Sequence, residues 1–424
     1  MNASTDTIAA LATAPGRAGI SIIRVSGPAA MELASRLLHR PPPPPNHAEL
    51  RTVFDASGNI LDHSLVLTFK APASYTGEDV VEFQCHGGSV TSRRILESCF
   101  SAGARLARRG EFTERAFLNG KLGYDQAEAV LDLIQAKTTR AADAALEGLA
   151  GARKRELDAL YSSALDISTT IEHALDVSED ELPAAFGSEV ERRLAEFHAA
   201  VRTAIRRRRE GRLLREGACV VLAGPPNAGK SSLMNVLLSE NRAIVSDIPG
   251  TTRDAIEEWL DLAGFPIRLV DTAGLRRTDD VIEAEGVRRS EELVARADLV
   301  LALDAPVLSG PRVLPIHAKC DLGRGDGLNV SAKTGEGLDE LKTAIVGRLE
   351  ELMSFADQDE QSEAEGELAA LLEVDAELSV PCVRDLVLLG NRQRSIAERL
   401  GSLSGAIYSD DLLDRLFSRF CVGK

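Results

Sequence analysis

The stretch Gly224-Pro-Pro-Asn-Ala-Gly229-Lys230-Ser231 constrains the fold more than any other part of the chain. It satisfies G-x-x-x-x-G-K-[ST]. It stands between an apolar run, Ala218-Cys-Val-Val-Leu-Ala-Gly, and a helix-forming run over 231–239. A strand, a glycine-rich turn and a helix in that order gather backbone N–H groups at a helix N-terminus, a concavity suited to polyphosphate. In such a loop the lysine, Lys230, reaches the β- and γ-phosphates and the serine, Ser231, holds Mg2+. Asn227, Ala228, Gly229 and Ser232 complete the predicted phosphate cradle.

Around this loop, residues 217–348 keep one rhythm. The runs ACVVLAG, IRLVDTAG, ADLVLALD, RVLPIHAK and GLNVSAK read as buried parallel strands, with helical stretches such as 231–239 and 283–296 between some of them. This is a doubly wound α/β pattern. Further elements follow in order. GTTRD at 250–254 offers Thr252 as a second protein ligand to Mg2+. DTAG at 271–274 offers Asp271 near the metal and the Gly274 N–H for the γ-phosphate, with Thr272 and Ala273 between them. The segment Ser246, Asp247, Ile248, Pro249, Gly250 and Thr251 is expected to border the nucleotide. AKCD at 318–321 brings Lys319 and Asp321, and SAK at 331–333 brings Ser331, Ala332 and Lys333 to the base. Asp321 can accept from guanine N1 and N2 together, which adenine cannot satisfy, so GTP is the expected nucleotide.

Three departures stand out. Ala318 occupies the place of the asparagine in the usual NKxD. The stretch from Leu303 to Val313 is too short for a helix joining two parallel strands. Leu275 follows DTAG, where Ras-type hydrolases carry a water-orienting glutamine, and its side chain makes no hydrogen bond.

The flanks differ. Residues 1–120 read as α/β, with β-type runs GISIIRVSG and HSLVLTFK, and with PPPPP at 41–45 as a stiff surface loop. Residues 121–216 turn helical. Leu157, Leu160, Ala164, Ile167, Ile171 and Ala174 form one apolar stripe, and Val190, Leu194, Phe197, Val201 and Ala204 another, with the acidic SEDELP at 178–183 between them. Residues 349–424 are helical again, with the acidic run SFADQDEQSEAEGE reading as a linker. The expected architecture is therefore an N-terminal α/β domain, a helical bundle in two parts, and a nucleotide domain inserted in that bundle.

Net charge is −16, which speaks weakly against a nucleic-acid binder, although a local basic patch such as RRRRE at 206–210 can carry RNA. The plainer expectation for that run is a solvated helix end. No run of about 18 apolar residues predicts a membrane span. Six scattered cysteines without a CxxC pair suit a reducing cytoplasm.

Several blocks together resemble one family over nearly the whole chain: DTIAALATAPGRAGISIIRVSG, PASYTGEDVVEFQCHGG, RRGEFTERAFLNGKLGYDQAEAV, GPPNAGKSSLMN, SDIPGTTRD, DTAGLRR and SDDLLDRLFSRFCVGK. The sequence resembles the MnmE (TrmE) family of tRNA-modification GTPases. The resemblance implies an N-terminal tetrahydrofolate-binding domain that also dimerises, a helical domain and an inserted Ras-like G domain. It implies a homodimer and a heterotetramer with an FAD-dependent MnmG (GidA)-type partner. That pair would modify the wobble uridine of certain tRNAs at carbon 5, adding an aminomethyl or carboxymethylaminomethyl group. The carbon would come from a folate, in its 5-formyl or 5,10-methylene form.

The resemblance also implies an answer to Leu275. A K+ ion sits between the β- and γ-phosphates, on the Asn227 side chain and the backbone carbonyls of Ser246, Ile248 and Thr251. Glu283 orients the water; Arg253 either helps to stabilise the switch or is an ordinary exposed loop arginine. Arg24, Glu82, Lys121 and Lys424 map to folate contacts. Cys421 is either a nucleophile or a small residue packed beside the folate. Two other readings stay open. One is a regulatory or ribosome-assembly GTPase, which has no reason to carry FCVGK. The other is a folate-dependent transferase with a decayed G domain.

Overall fold

A computed structural model describes residues 6–176, 183–241, 257–271, 292–354, 366–379, 386–404 and 420–423. By its internal contacts the chain divides into two compact units, Met1–Leu131 with Ile407–Lys424, and Asp132–Ala406.

The first unit is built on a six-stranded sheet in the order β3-β4-β5-β2-β1-β6. Its strands are β1 (Ile8–Leu11), β2 (Ile20–Ser26), β3 (Ala48–Phe54), β4 (Ile60–Phe69), β5 (Val80–His86) and β6 (Arg105–Leu106). All neighbours are antiparallel except β1 and β6. Period-two alternation sorts the side chains. Ile23, Val25, Val81 and Phe83 face α1 (Ala30–Leu38) and α2 (Ser89–Ser101), against Leu33, Leu37 and Ile95. On the other face Ile8 and Ala10 meet Phe112 of α3 (Glu111–Leu118). The proline run does not lie wholly at the surface. Pro43 is buried and its carbonyl accepts the Thr68 hydroxyl at 2.9 Å, because a segment without N–H donors still offers acceptors.

The second unit joins a helical cluster to a sheet. After α4 (Tyr124–Gln135) and α5 (Thr139–Leu149) come α6 (Ala152–Leu175) and α7 (Phe186–Glu216). Both predicted stripes are buried throughout, and they pack with the late helices Gly366–Ser379 and Leu386–Ser404. The run 206–210 does not end a helix. Helix α7 continues to Glu216 because Leu213 and Leu214 pack into the neighbouring core, and Arg209 is buried, with Nη1 donating to the Met353 carbonyl at 3.2 Å.

The second sheet has the order β12-β11-β10-β7-β9-β8. Strands β7 (Ala218–Ala223), β9 (Phe265–Asp271), β10 (Leu299–Leu303), β11 (Val313–Ala318) and β12 (Leu328–Val330) are parallel where they pair. All six residues of β7 are buried, as a central parallel strand requires. Helices α8 (Lys230–Asn241) and α9 (Leu338–Ser354) supply Leu233, Leu237, Leu341 and Ile345 to one face of the sheet. The link between β10 and β11 holds no helix, in keeping with its length. Strand β8 (Glu257–Leu262), antiparallel to β9 at the sheet edge, has no counterpart among the expected runs. The acidic run falls largely outside the described residues.

Candidate functional site

The loop after β7 takes its shape from three backbone positions. Gly224 has φ +155, and a Cβ there would lie 2.3 Å from the Leu303 carbonyl oxygen, so the loop passes too close to β10 for any side chain. Asn227 (φ 63) and Gly229 (φ 98) adopt left-handed conformations. Asparagine is among the few residues that tolerate this, which accounts for the residue type at 227. Helix α8 begins directly at Lys230. The Lys230 ammonium is buried and donates to the carbonyls of Gly224 and Pro225 at 2.8 and 2.9 Å.

Ser231 and Asp271 come from positions 40 apart and meet. The Ser231 hydroxyl donates to Asp271 Oδ2 at 2.6 Å. A hydroxyl and a carboxylate at the mouth of a phosphate loop form a hard-oxygen set that suits Mg2+. Strand β9 delivers Asp271 as its last residue, beside Leu222 of β7.

The residues expected to read the base also converge. Lys319 (φ 57) donates from Nζ to the Asn227 carbonyl at 2.6 Å, tying its loop to the phosphate loop. Asp321 Oδ1 accepts the buried Ser331 hydroxyl at 2.7 Å. That bond, with Lys333 and Lys319 nearby, holds the Asp321 carboxyl below its usual range. It therefore stays an acceptor, as guanine N1–H and N2–H require. Ala332 is half-buried and Lys333 exposed. Ala318 packs against the hydrophobic core beneath. Sequence reasoning missed His317, whose ring nitrogens lie 2.8 Å from Asp304 and 2.9 Å from the Gly323 carbonyl. Two acceptors favour the protonated ring, and the Gly323 carbonyl and Asp304 raise its pKa. The signal was faint, a single histidine before AKCD.

Ser246, Asp247, Ile248, Pro249, Gly250, Thr251, Thr252, Arg253, Thr272, Ala273, Gly274, Leu275, Glu283 and Lys424 lie outside the described residues.

In the first unit Arg24 and Glu82 are register partners on β2 and β5, and Arg24 Nε donates to Glu82 Oε1 at 2.9 Å. The Arg24 guanidinium stands 5.7 Å from the rings of both Tyr75 and Phe112. Sequence reasoning missed these two aromatics, since each is by itself an ordinary core residue. The Tyr75 hydroxyl pairs with Thr113 at 2.9 Å. Lys121 donates to the Pro72 carbonyl at 3.1 Å, at the start of the loop that carries Tyr75. Cys421 is exposed and its carbonyl faces the Gly110 N–H at 3.4 Å. Gly423 (φ 107) lies against Leu11, where a Cβ would sit 2.1 Å from the carbonyl oxygen. Leu11 follows Ala10, the register partner of Arg24. The chain end thus returns to the strand beside Arg24.

A charge cluster fixes this arrangement. Arg115, 3% exposed, donates to Glu111 (3.1 Å), Glu78 (3.1 Å) and Asp6 (2.7 Å). Glu78 also accepts from Ser26 at 2.7 Å, so the loop bearing Tyr75 is locked to β2 and α3 at once. Burial pushes the Glu111 carboxyl upward, but Arg105, the Arg108 N–H and Arg115 outweigh it and bring it down to about 2.

No helix among the described residues is long and apolar enough to cross a membrane. Residues 7–121 match the family model "GTP-binding protein TrmE N-terminus", and residues 125–421 match "MnmE helical domain". The tRNA modification GTPase MnmE of Xanthomonas campestris pv. campestris (strain B100) is 42% identical over 461 aligned residues, covering all of both chains. The protein of the same name from Nitrosomonas eutropha is 39% identical, covering 99% of this chain and all of its own. The G domain of the T. maritima FeoB iron transporter aligns with 31% of this chain and 98% of its own, at 28% identity and a TM-score of 0.23. Two family models that together span nearly the whole chain, and full-length relatives at about 40% identity, establish that the chain belongs to the MnmE family.

Proposed function

We propose that the chain hydrolyses GTP and uses that cycle in the modification of tRNA. The observation that carries this reading is the 2.6 Å contact between Ser231 and Asp271 beside the buried Lys230. It assembles phosphate-binding and metal-binding groups from two distant motifs. Lys230 holds the β- and γ-phosphates. Ser231, with Thr252, would hold Mg2+, with Asp271 beside Ser231. Lys319, Asp321 and Ser331 read guanine. When bound, a monovalent cation between the β- and γ-phosphates supplies the charge balance that an arginine finger would otherwise provide. Asn227, with the carbonyls of Ser246, Ile248 and Thr251, would hold K+ there. Glu283 orients the attacking water and Arg253 steadies the loop around Thr252.

In the first unit, Arg24, Glu82, Lys121 and Lys424 hold a tetrahydrofolate derivative. The Arg24–Glu82 pair beside Tyr75 and Phe112 fits such a ligand: a carboxylate to accept from a pterin N–H edge, cations for a glutamyl tail, and aromatic surface for the ring. Cys421 packs beside the ligand or attacks as a nucleophile. The working assembly is a cytoplasmic homodimer with an FAD-dependent MnmG-type partner, and the product is a wobble uridine modified at carbon 5.

Two measurements test the reading. GTP turnover is expected to be faster in K+ than in Na+; equal rates would remove the cation mechanism. Mass spectrometry of tRNA nucleosides from cells lacking the protein is expected to show loss of the modified uridine. An unchanged nucleoside profile would refute the tRNA role. A second reading, a folate enzyme with a decayed G domain, draws on Ala318 and the helix-free link between β10 and β11. Failure of the chain to bind GTP would favour it.

A further inference from the structure

The function proposed above leaves the arginine run of α7 unused. Between residues 202 and 216 that helix carries seven arginines and two glutamates, in a chain of net charge −16. Helical geometry sorts them. Arg209 points inward and Arg208 is half-buried. Arg202 and Arg207 are each 62% exposed along the side chain, and Arg206 is exposed with no ion-pair partner among the described residues. Arg207 and Arg208 both end on Glu156, at 2.8 and 3.0 Å, which places the first turns of α6 alongside. Those turns add exposed Lys154 and Arg155.

The two carboxylates that hold the exposed pair sit low. Glu156 and Asp375, the partners of Arg207 and Arg202, are only 16% and 14% exposed. Arg212, 45% exposed, lies further along the helix and turns toward Asp298 at 3.8 Å. Arg202, Arg206 and Arg207 lie within about 8 Å of helix, at about 1.5 Å per residue; Asp375 and Glu156 hold two of them from below, and their exposed guanidinium edges, with Arg206, leave a positive surface that favours a polyanion. Resting on the tRNA reading, we propose that this face of α7, with the first turns of α6, docks the phosphate backbone of the tRNA. Guanidinium forks match phosphate oxygens in pairs, and a run of them suits the evenly repeated charge of a nucleic-acid strand. Phosphate contacts carry no sequence information, so the face positions tRNAs in general and leaves the choice of base to other groups.

The test compares full-length wild type with Arg206→Glu/Arg207→Glu and with Arg206→Ala/Arg207→Ala. Glu156 keeps Arg208 in both variants, so folding is expected to persist, and GTP turnover without tRNA serves as the check. Binding of unmodified tRNA is measured across a salt series. The alanine pair is expected to bind roughly tenfold or more weakly near 0.1 M salt, with the slope of log K against log salt shallower by about 1.8. The glutamate pair is expected to bind more weakly still. Arg93→Glu, on α2 of the other unit, is expected to bind as wild type does. Wild-type binding with unchanged affinity and slope in both variants would overturn the proposal. Loss of binding to anionic phospholipid vesicles with tRNA binding intact would overturn it too, in favour of a membrane surface. A wild type that binds no tRNA would instead refute the tRNA reading on which the proposal rests.

Discussion

The proposed nucleotide site rests mainly on eight consecutive positions, 224–231, whose backbone takes unusual conformations. In the first unit Arg24, Tyr75, Glu82 and Phe112 arrive from four separate segments and meet through side chains. A backbone-built site needs unusual φ values at fixed positions, here Gly224, Asn227 and Gly229. A side-chain site needs only ordinary residues on the correct face of a sheet. The first kind tolerates little substitution at those few positions, while the second depends on whatever holds its pieces in place.

The sharpest way to break the comparison is Lys230→Ala. Lys230 is the one charged side chain in the backbone-built loop, so its loss removes all the charge stabilisation the loop itself supplies. GTP turnover is expected to fall by about a thousandfold, roughly 4 kcal/mol of barrier. Folate binding by the first unit is expected to stay unchanged. Steady-state hydrolysis and folate titration of the same preparation test both halves; a fall in both would show that the two sites are not separately built.

The next effect falls on the scaffold of the N-terminal site. Glu111 has a folded pKa of about 2, depressed from 4.5. A depressed carboxylate stabilises the fold above its unfolded pKa, and that contribution fades as pH falls from about 4.5 towards about 2. At about 1.4 kcal/mol per pH unit it amounts to about 3 kcal/mol at neutral pH. Glu111→Gln is expected to lose roughly that much at pH 7 and much less at pH 3. Urea unfolding at the two pH values measures it; an equal loss at both would mean the charge is not what stabilises the cluster.

The same contrast governs what could be read in advance. The phosphate loop, Asp271, Lys319, Asp321 and both helical stripes were legible because each is a local pattern with a fixed period or spacing. The helix-free link between β10 and β11 was legible from its length alone. Strand β8 was not: the expected runs were apolar, and Glu257-Glu-Trp-Leu-Asp-Leu, at the sheet edge, mixes three acids with three apolar residues. Tyr75 and Phe112 were not, because only the pairing of β2 with β5 and the docking of α3 bring them to Arg24. Arg209 was misjudged with its neighbours, since four arginines in a row must point to all sides of a helix and one of them inward.

A smaller effect separates binding from support in the side-chain site. Arg24→Ala leaves Glu82, 9% exposed, without its cation, at a cost of roughly 1–3 kcal/mol. Arg24→Ala/Glu82→Gln is expected to recover most of that stability while folate affinity stays at least about tenfold down. GTP turnover is expected to be normal in both. Recovery of folate affinity in the double variant would assign the pair a structural role only.

The smallest effect sits where the helices of the second unit meet its sheet. Thr138 caps α5, its side chain accepting from the Ala141 N–H, and its hydroxyl also donates to the Gly264 carbonyl at 2.6 Å. Gly264 (φ +86) forms the tip of the β8–β9 hairpin, where a Cβ would meet that of Arg140 at 2.7 Å. Lys137 lies 3.3 Å over the Trp259 ring in the same contact. The hairpin ends on Asp271, so one strand runs from this contact to the carboxylate that accepts from Ser231. Thr138→Val keeps the shape and removes cap and bridge together. Thermal unfolding is expected to register about 1 kcal/mol, the usual worth of a helix cap. If the contact only braces the helices, GTP turnover is expected to stay as in wild type. A change in turnover larger than so small a loss of stability explains would show that even the backbone-built site draws on side chains some distance from its loop.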